Sequence, residues 1–128
     1  MESLFRAQPG GTLEMDKPKK VAFSKAKVAD DPIPASEVIK GHPKARTYVL
    51  HESDGGAYVS GVWHCSPGTF HWNFAKDEFV YFVEGQARLR WDDGRTITVK
   101  KGEAAQFPKG HCIWTVSKTV KKVFVLRS

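Results

Sequence analysis

From Thr47 to the end of the chain, short apolar or alternating segments are separated at close, fairly regular intervals by turn residues, which excludes a helical bundle and demands a β fold. The turns are Ser53-Asp54-Gly55-Gly56, Ser66-Pro67-Gly68, Asp92-Asp93-Gly94, Pro108-Lys109-Gly110 and Ser117-Lys118-Thr119. Between them the spacing predicts strands over 47–51, 57–65, 69–73, 79–84, 87–91, 96–100, 104–107, 112–116 and 120–126. Many short strands with Gly and Pro turns make a sandwich or a barrel.

Alternation sets the facing. Ala87, Leu89 and Trp91 share one side and Gln86, Arg88 and Arg90 the other, so that strand is buried on one face and wet on the other. Residues 79–83 are apolar at every position, and such a strand must be covered twice, by its own core and by a second layer or a partner chain. Val123-Phe124-Val125-Leu126 repeats the pattern, and a homodimer is the expected partnership. Trp63, Trp91 and Trp114, with Phe70, Phe82 and Phe107, are expected in the core.

Residues 1–30 form a polar, Lys-rich arm punctuated by Pro9, Gly10, Gly11 and Pro18, loosely ordered apart from one optional edge strand around Val21 and Phe23. Residues 31–128 form the barrel, a single domain of ordinary size. Ser36 is placed to cap one short helical turn through Glu37, Val38 and Ile39 before Gly41.

The formal charge of +6 is concentrated in the leading segment or placed at strand ends, without a basic helix or a nucleic-acid motif, so a nucleic-acid partner is not expected. No run approaches the roughly 18–20 apolar residues that a membrane helix requires, and the N-terminus lacks the apolar centre of a signal peptide. A cytoplasmic protein without membrane contact is the expectation, with Cys65 and Cys112 as free, buried thiols.

The stretch FHWNFAKDEFVYFVEG carries the chemistry. His71-Trp72-Asn73 is followed after four residues by Glu78 and after six more by Gly85; further on, Gly102 precedes Pro108-Lys109-Gly110 by five residues. This order and spacing resemble the two motifs of the cupins, double-stranded β-helix or jelly-roll barrels. Gly61-Val62-Trp63, Cys65-Ser66-Pro67-Gly68-Thr69-Phe70, Asp77-Glu78 and Trp114, with Gly41-His42-Pro43-Lys44-Ala45-Arg46 ahead of the barrel, are similar to the short single-domain cupins grouped with ureidoglycine aminohydrolase.

The resemblance implies a metal site whose ligands can be matched residue by residue. His71 stands at the first histidine and Glu78 at the glutamate, whereas Asn73 and Ile113 replace the other two histidines. Residues two apart on a strand share a face, so His71 and Asn73 are expected to point inward and Trp72 away. His111, two residues before Ile113, shares its facing.

Two readings follow. In one, His71, Glu78 and His111 hold a divalent ion, manganese by family analogy, with Asn73 as a weak fourth contact. In the other, His71 is hydrogen-bonded to Asn73 or Glu78 in a metal-free ligand pocket, with His111 on the rim. Asp77 and Glu78, as strand neighbours, point to opposite faces and make a poor acid–base pair. His42 and His51 read as surface or loop residues and His64 as facing solvent.

Three functions are therefore carried forward. The first is a barrel that binds a small polar molecule around His71, Asn73, Glu78 and His111. The second is a metal-dependent hydrolase of a ureido or amino-acid-like compound, with Glu78 as ligand or catalytic proton carrier. The third is a non-catalytic structural or regulatory dimer.

Overall fold

A computed structural model describes residues 17–128, and the first part of the arm lies outside the described residues. Among the described residues nine strands follow one another: β1 (Ala29–Asp30), β2 (Val38–Gly41), β3 (Ala45–Ser53), β4 (Tyr58–Cys65), β5 (Gly68–Phe74), β6 (Asp77–Trp91), β7 (Thr96–Lys100), β8 (Ala104–Phe107) and β9 (Gly110–Arg127). All the pairings are antiparallel, and the architecture is the cupin jelly roll.

Two long strands organise the fold. The second half of β9 lies between β4 and the first half of β6, extending a layer that runs from β1 and β3 to β8. The first half of β9 lies between β5 and the second half of β6, in a layer bounded by β2 and β7. Where the sequence suggests separate strands over 79–84 and 87–91, and over 112–116 and 120–126, the chain instead runs on through a corner.

Gly85 makes that corner possible. Its φ is +93°, and a Cβ there would lie 2.1 Å from the Thr119 carbonyl oxygen. The β6–β9 register shifts on both sides of it, between Phe82 and Ala87. Only a residue without a side chain fits both the dihedral and the approach.

The core fills the space between the layers. Trp63, Phe70, Phe82, Leu89, Trp91, Phe107 and Trp114 are buried there, as the alternation requires. Thr47 Oγ1 donates to Asp31 Oδ2 at 2.7 Å, both residues being buried, which satisfies two polar groups at the entry to the barrel.

Two local expectations are corrected. The helical turn is a 3-10 turn at Ala35–Glu37 capped by no side chain, and Val38–Gly41 is strand β2, because pairing with β5 satisfies its backbone. Around Val21 and Phe23 there is no edge strand: Phe23–Lys25 is a 3-10 turn, and the edge strand is Ala29–Asp30, paired to Thr47 and Arg46. Among the described residues no helix is long and apolar enough to cross a membrane.

Candidate functional site

Strand β6 turns Glu78, Val80 and Phe82 inward, and β9 turns Val120, Lys122, Phe124 and Leu126 inward. Lys122 is cross-strand partner to Trp63 on one side and Phe82 on the other, so its side chain enters an aromatic interior. There its Nζ donates to Glu78 Oε2 at 2.5 Å, with side chains only 4% and 6% exposed.

The ammonium is also enclosed by rings. Nζ lies 4.5 Å from the Trp63 centroid, 4.9 Å from that of Trp114 and 6.0 Å from that of Phe107. Their negative faces attract the cation and hold it in the barrel interior. Such a pair does not add greatly to stability, because desolvating two charges offsets most of their attraction. What it provides is a fixed charge pattern on the wall of a cavity.

That cavity is lined by Trp63, Trp72, Asn73, Phe74, Lys76, Glu78 and Lys122, together with Ala75, Phe124 and Leu126. About 50 Å³ of it is open to the centre of a water molecule, space for a few waters or for one small polar group. Among the described residues Glu78 is the one carboxylate on its wall.

Strand β5 reverses the expected facing. Phe70 and Phe74 are buried, and Trp72 packs edge-on against Trp63, Phe70 and Phe74, whereas Asn73 is exposed. His71 and Asn73 thus alternate away from the core, paired across β9 with Ile113 and His111, and Asn73 reaches only the rim of the cavity. The reason is energetic: burying an aromatic side chain contributes roughly 1.5–3 kcal/mol. An imidazole or amide must instead find partners there or incur a desolvation cost.

Away from the core the two histidines do meet. His71 Nδ1 and His111 Nε2 are 2.9 Å apart, and His111 Nδ1 donates to Asp92 Oδ1 at 2.6 Å. His71 is bonded to His111 and not to Asn73 or Glu78. The expected set of His71, Glu78 and His111 is therefore not assembled, since Glu78 is inside the barrel and both histidines are outside.

The metal that the cupin resemblance implies does not fit these residues. Lys122 occupies Glu78 Oε2 with a positive charge where a divalent ion would need the carboxylate. Among the described residues no group of three or more His, Cys, Asp or Glu side chains is placed to hold a metal ion.

The remaining candidates separate cleanly. Asp77 is exposed while Glu78 is buried, as neighbours on a strand must be. His42 is exposed and His51 is bonded to Lys19 at 3.0 Å. His64 does not simply face solvent: it is half-buried beside Phe23, and burial, then Lys121 and Arg46, lower its pKa. Cys65 and Cys112 are free and buried, and burial pushes both thiols up to about 12.

Lys122 is the site residue that the motif reading does not find. Its signal is present in the alternation: Val120, Lys122, Phe124 and Leu126 share one face, so a lysine occurs in an inward register of an apolar strand.

Residues 52–124, more than half of the chain, match the model of the EutQ-like cupin domain. A protein of unknown function from Pseudomonas syringae pv. tomato shares the fold with a TM-score of 0.70 and 25% identity, over 80% of this chain and 45% of that one. The chain thus spans less than half the length of that protein. The Clostridium difficile EutQ protein has a TM-score of 0.57 and 23% identity, over 66% of this chain and 63% of its own. Ectoine synthase from P. lautus has a TM-score of 0.56 and 16% identity, over 74% and 71%. These two likenesses show a shared fold. No curated protein sequence matches the chain.

Proposed function

We propose that this chain, which belongs to the EutQ-like cupin domain family, binds a small polar molecule in the barrel cavity beside Glu78 and Lys122. The observation that carries this reading is the buried ion pair at 2.5 Å on the wall of a cavity that Trp63, Trp72 and Phe74 also line. An apolar concave site with a few fixed polar groups is the usual form of a small-molecule pocket. Trp63, Trp72 and Phe74 supply the apolar walls, and Asn73 and Lys76 stand on the lining beside them.

The similarity to the ureidoglycine aminohydrolase group suggests the ligand class, a ureido or amino-acid-like compound. A hydrolase of such compounds is a second reading, favoured by the placement of Glu78 as a carboxylate on the cavity wall, where it would carry the proton.

The test is a titration of N-carbamoylglycine and glycine followed by tryptophan emission, with ammonia release assayed in parallel. Binding should saturate in the native protein and vanish in Lys122→Met/Glu78→Leu; persistence in that variant would move the site elsewhere. Binding without ammonia release would leave a binding protein and remove the hydrolase.

A homodimer is proposed through the outer face of β6 and β9. Phe79 is 44% and Tyr81 41% exposed, and their cross-strand partners there are Val125 and Val123. Apolar side chains in contact across two strands form a patch of the kind that a second sheet covers.

A further inference from the structure

We propose that residues 17–28 form a pH-sensitive strap across the outer face of β3 and β4, held down while His51 and His64 are neutral and released when they are protonated. The described backbone hydrogen bonds between Ala22 and Val28 stay within the segment, Lys25 donating to Ala22, Ala26 to Phe23 and Val28 to Ala26, so side chains attach it to the barrel. At one end Lys19 Nζ lies 3.0 Å from His51 Nδ1; at the other the Phe23 ring lies 6.1 Å from that of His64, centroid to centroid. His51 is cross-strand partner to Ser60, which shares the outward side of β4 with Val62 and His64. Val62 lies between the two contacts and is only 3% exposed, although it alternates with the core residues Trp63 and Cys65 and stands outside their cluster.

Both contacts require an uncharged imidazole. A lysine ammonium has only donors, so His51 Nδ1 accepts from Lys19 and must keep its lone pair. Tyr58, edge-on to the same ring, brings no counter-charge. His64 stands in the middle of a row of titratable groups: Asp30, Arg46, His64, Lys121 and Glu84 are successive cross-strand partners over β1, β3, β4, β9 and β6. An imidazolium there would sit between two cations, with the acids one strand further out and Asp30 already paired to Arg46 at 3.4 Å. His64 Nε2 is buried with no hydrogen-bond partner among the described residues, and in the imidazolium it becomes a charged donor without an acceptor.

Burial first, then Lys121 and Arg46, against an opposing pull from Glu84, hold the His64 imidazole below its ordinary value of 6.5. The attachment is therefore complete above about pH 6.5 and declines as the pH falls below it. Release hydrates the imidazolium and uncovers Val62. That residue is cross-strand partner to Val123, itself partner to Tyr81, so the exposed apolar face widens toward β4.

The experiment follows the full chain by amide NMR from about pH 7.5 to about pH 5, the range in which histidine titrates, reading the heteronuclear NOE of the strap amides against those of β4 and β9. The strap should be as ordered as the strands at the upper pH and mobile at the lower, with the strands unchanged. His51→Gln/His64→Gln, which stays neutral and keeps a side-chain oxygen to accept from Lys19, should hold the strap down at both. Lys121→Gln should raise the pH at which the His64 ring titrates. A native strap equally ordered at both pH values, or mobile at both, would overturn the proposal whatever the variants do. Release in the double glutamine variant would overturn the role of the two histidines, and an unmoved His64 titration in Lys121→Gln would overturn that of the charge row.

Discussion

The Lys122 ammonium and the Glu78 carboxylate, 44 residues apart in sequence, meet at 2.5 Å in the barrel interior, with aromatic rings around the cation. Removing either partner leaves a buried charge with no counter-charge, which is far costlier than removing both.

Lys122→Met is therefore expected to destabilise the fold by about 3–5 kcal/mol in urea denaturation. Lys122→Met/Glu78→Leu should recover most of that loss. A double variant as unstable as the single one would show that packing, not charge, governs the site.

Gly85→Ala combines a φ of +93° with a Cβ 2.1 Å from the Thr119 carbonyl oxygen. The corner between the two halves of β6 must then open. A loss of roughly 2–3 kcal/mol is expected from the strained conformation and the contact together, read as a lowered urea midpoint.

Cys65 and Cys112 have thiols that burial raises to about 12 from an ordinary value of 9.0, so the thiolate is scarce in the native state. Labelling by a disulfide reagent at pH 8 should be slow in the native protein and fast in urea. Because the folded pKa is the higher one, the stability linked to these thiols is complete below about pH 9 and declines as pH rises toward 12. Replacing both by alanine should flatten the stability profile in that window; an unchanged slope would assign the decline to other groups.

Phe79→Glu/Tyr81→Lys places charges on the outer β6–β9 face while leaving Val80 and Phe82 in the core. Sedimentation should show the native protein as a dimer and the variant as a monomer of unchanged secondary structure. A monomeric native protein would remove the dimer proposal.

The sequence was most legible where its signals were local and redundant. Gly and Pro turns bounded most of the strands, and the alternation of Ala87, Leu89 and Trp91 was enough to bury the right side chains. Between Thr69 and Phe74 both faces carry plausible inward residues. The cupin pattern favoured His71 and Asn73, but burial of Phe70, Trp72 and Phe74 decided the facing. Lys122 was obscured by its neighbour Lys121, since two adjacent lysines read as a solvated strand. Its pairing with Glu78 depends on a contact between distant strands that no local pattern encodes.

The way β6 and β9 each pass through both layers bears on how the protein comes into being. Neither layer contains a complete set of strands made from its own segment of chain, so neither half can assemble ahead of the other as an independent unit. The 18 residues of β9 take part in both layers at once. Both layers therefore form together, and the dominance of distant strand pairings places the chain among slow-folding β topologies rather than fast, local ones.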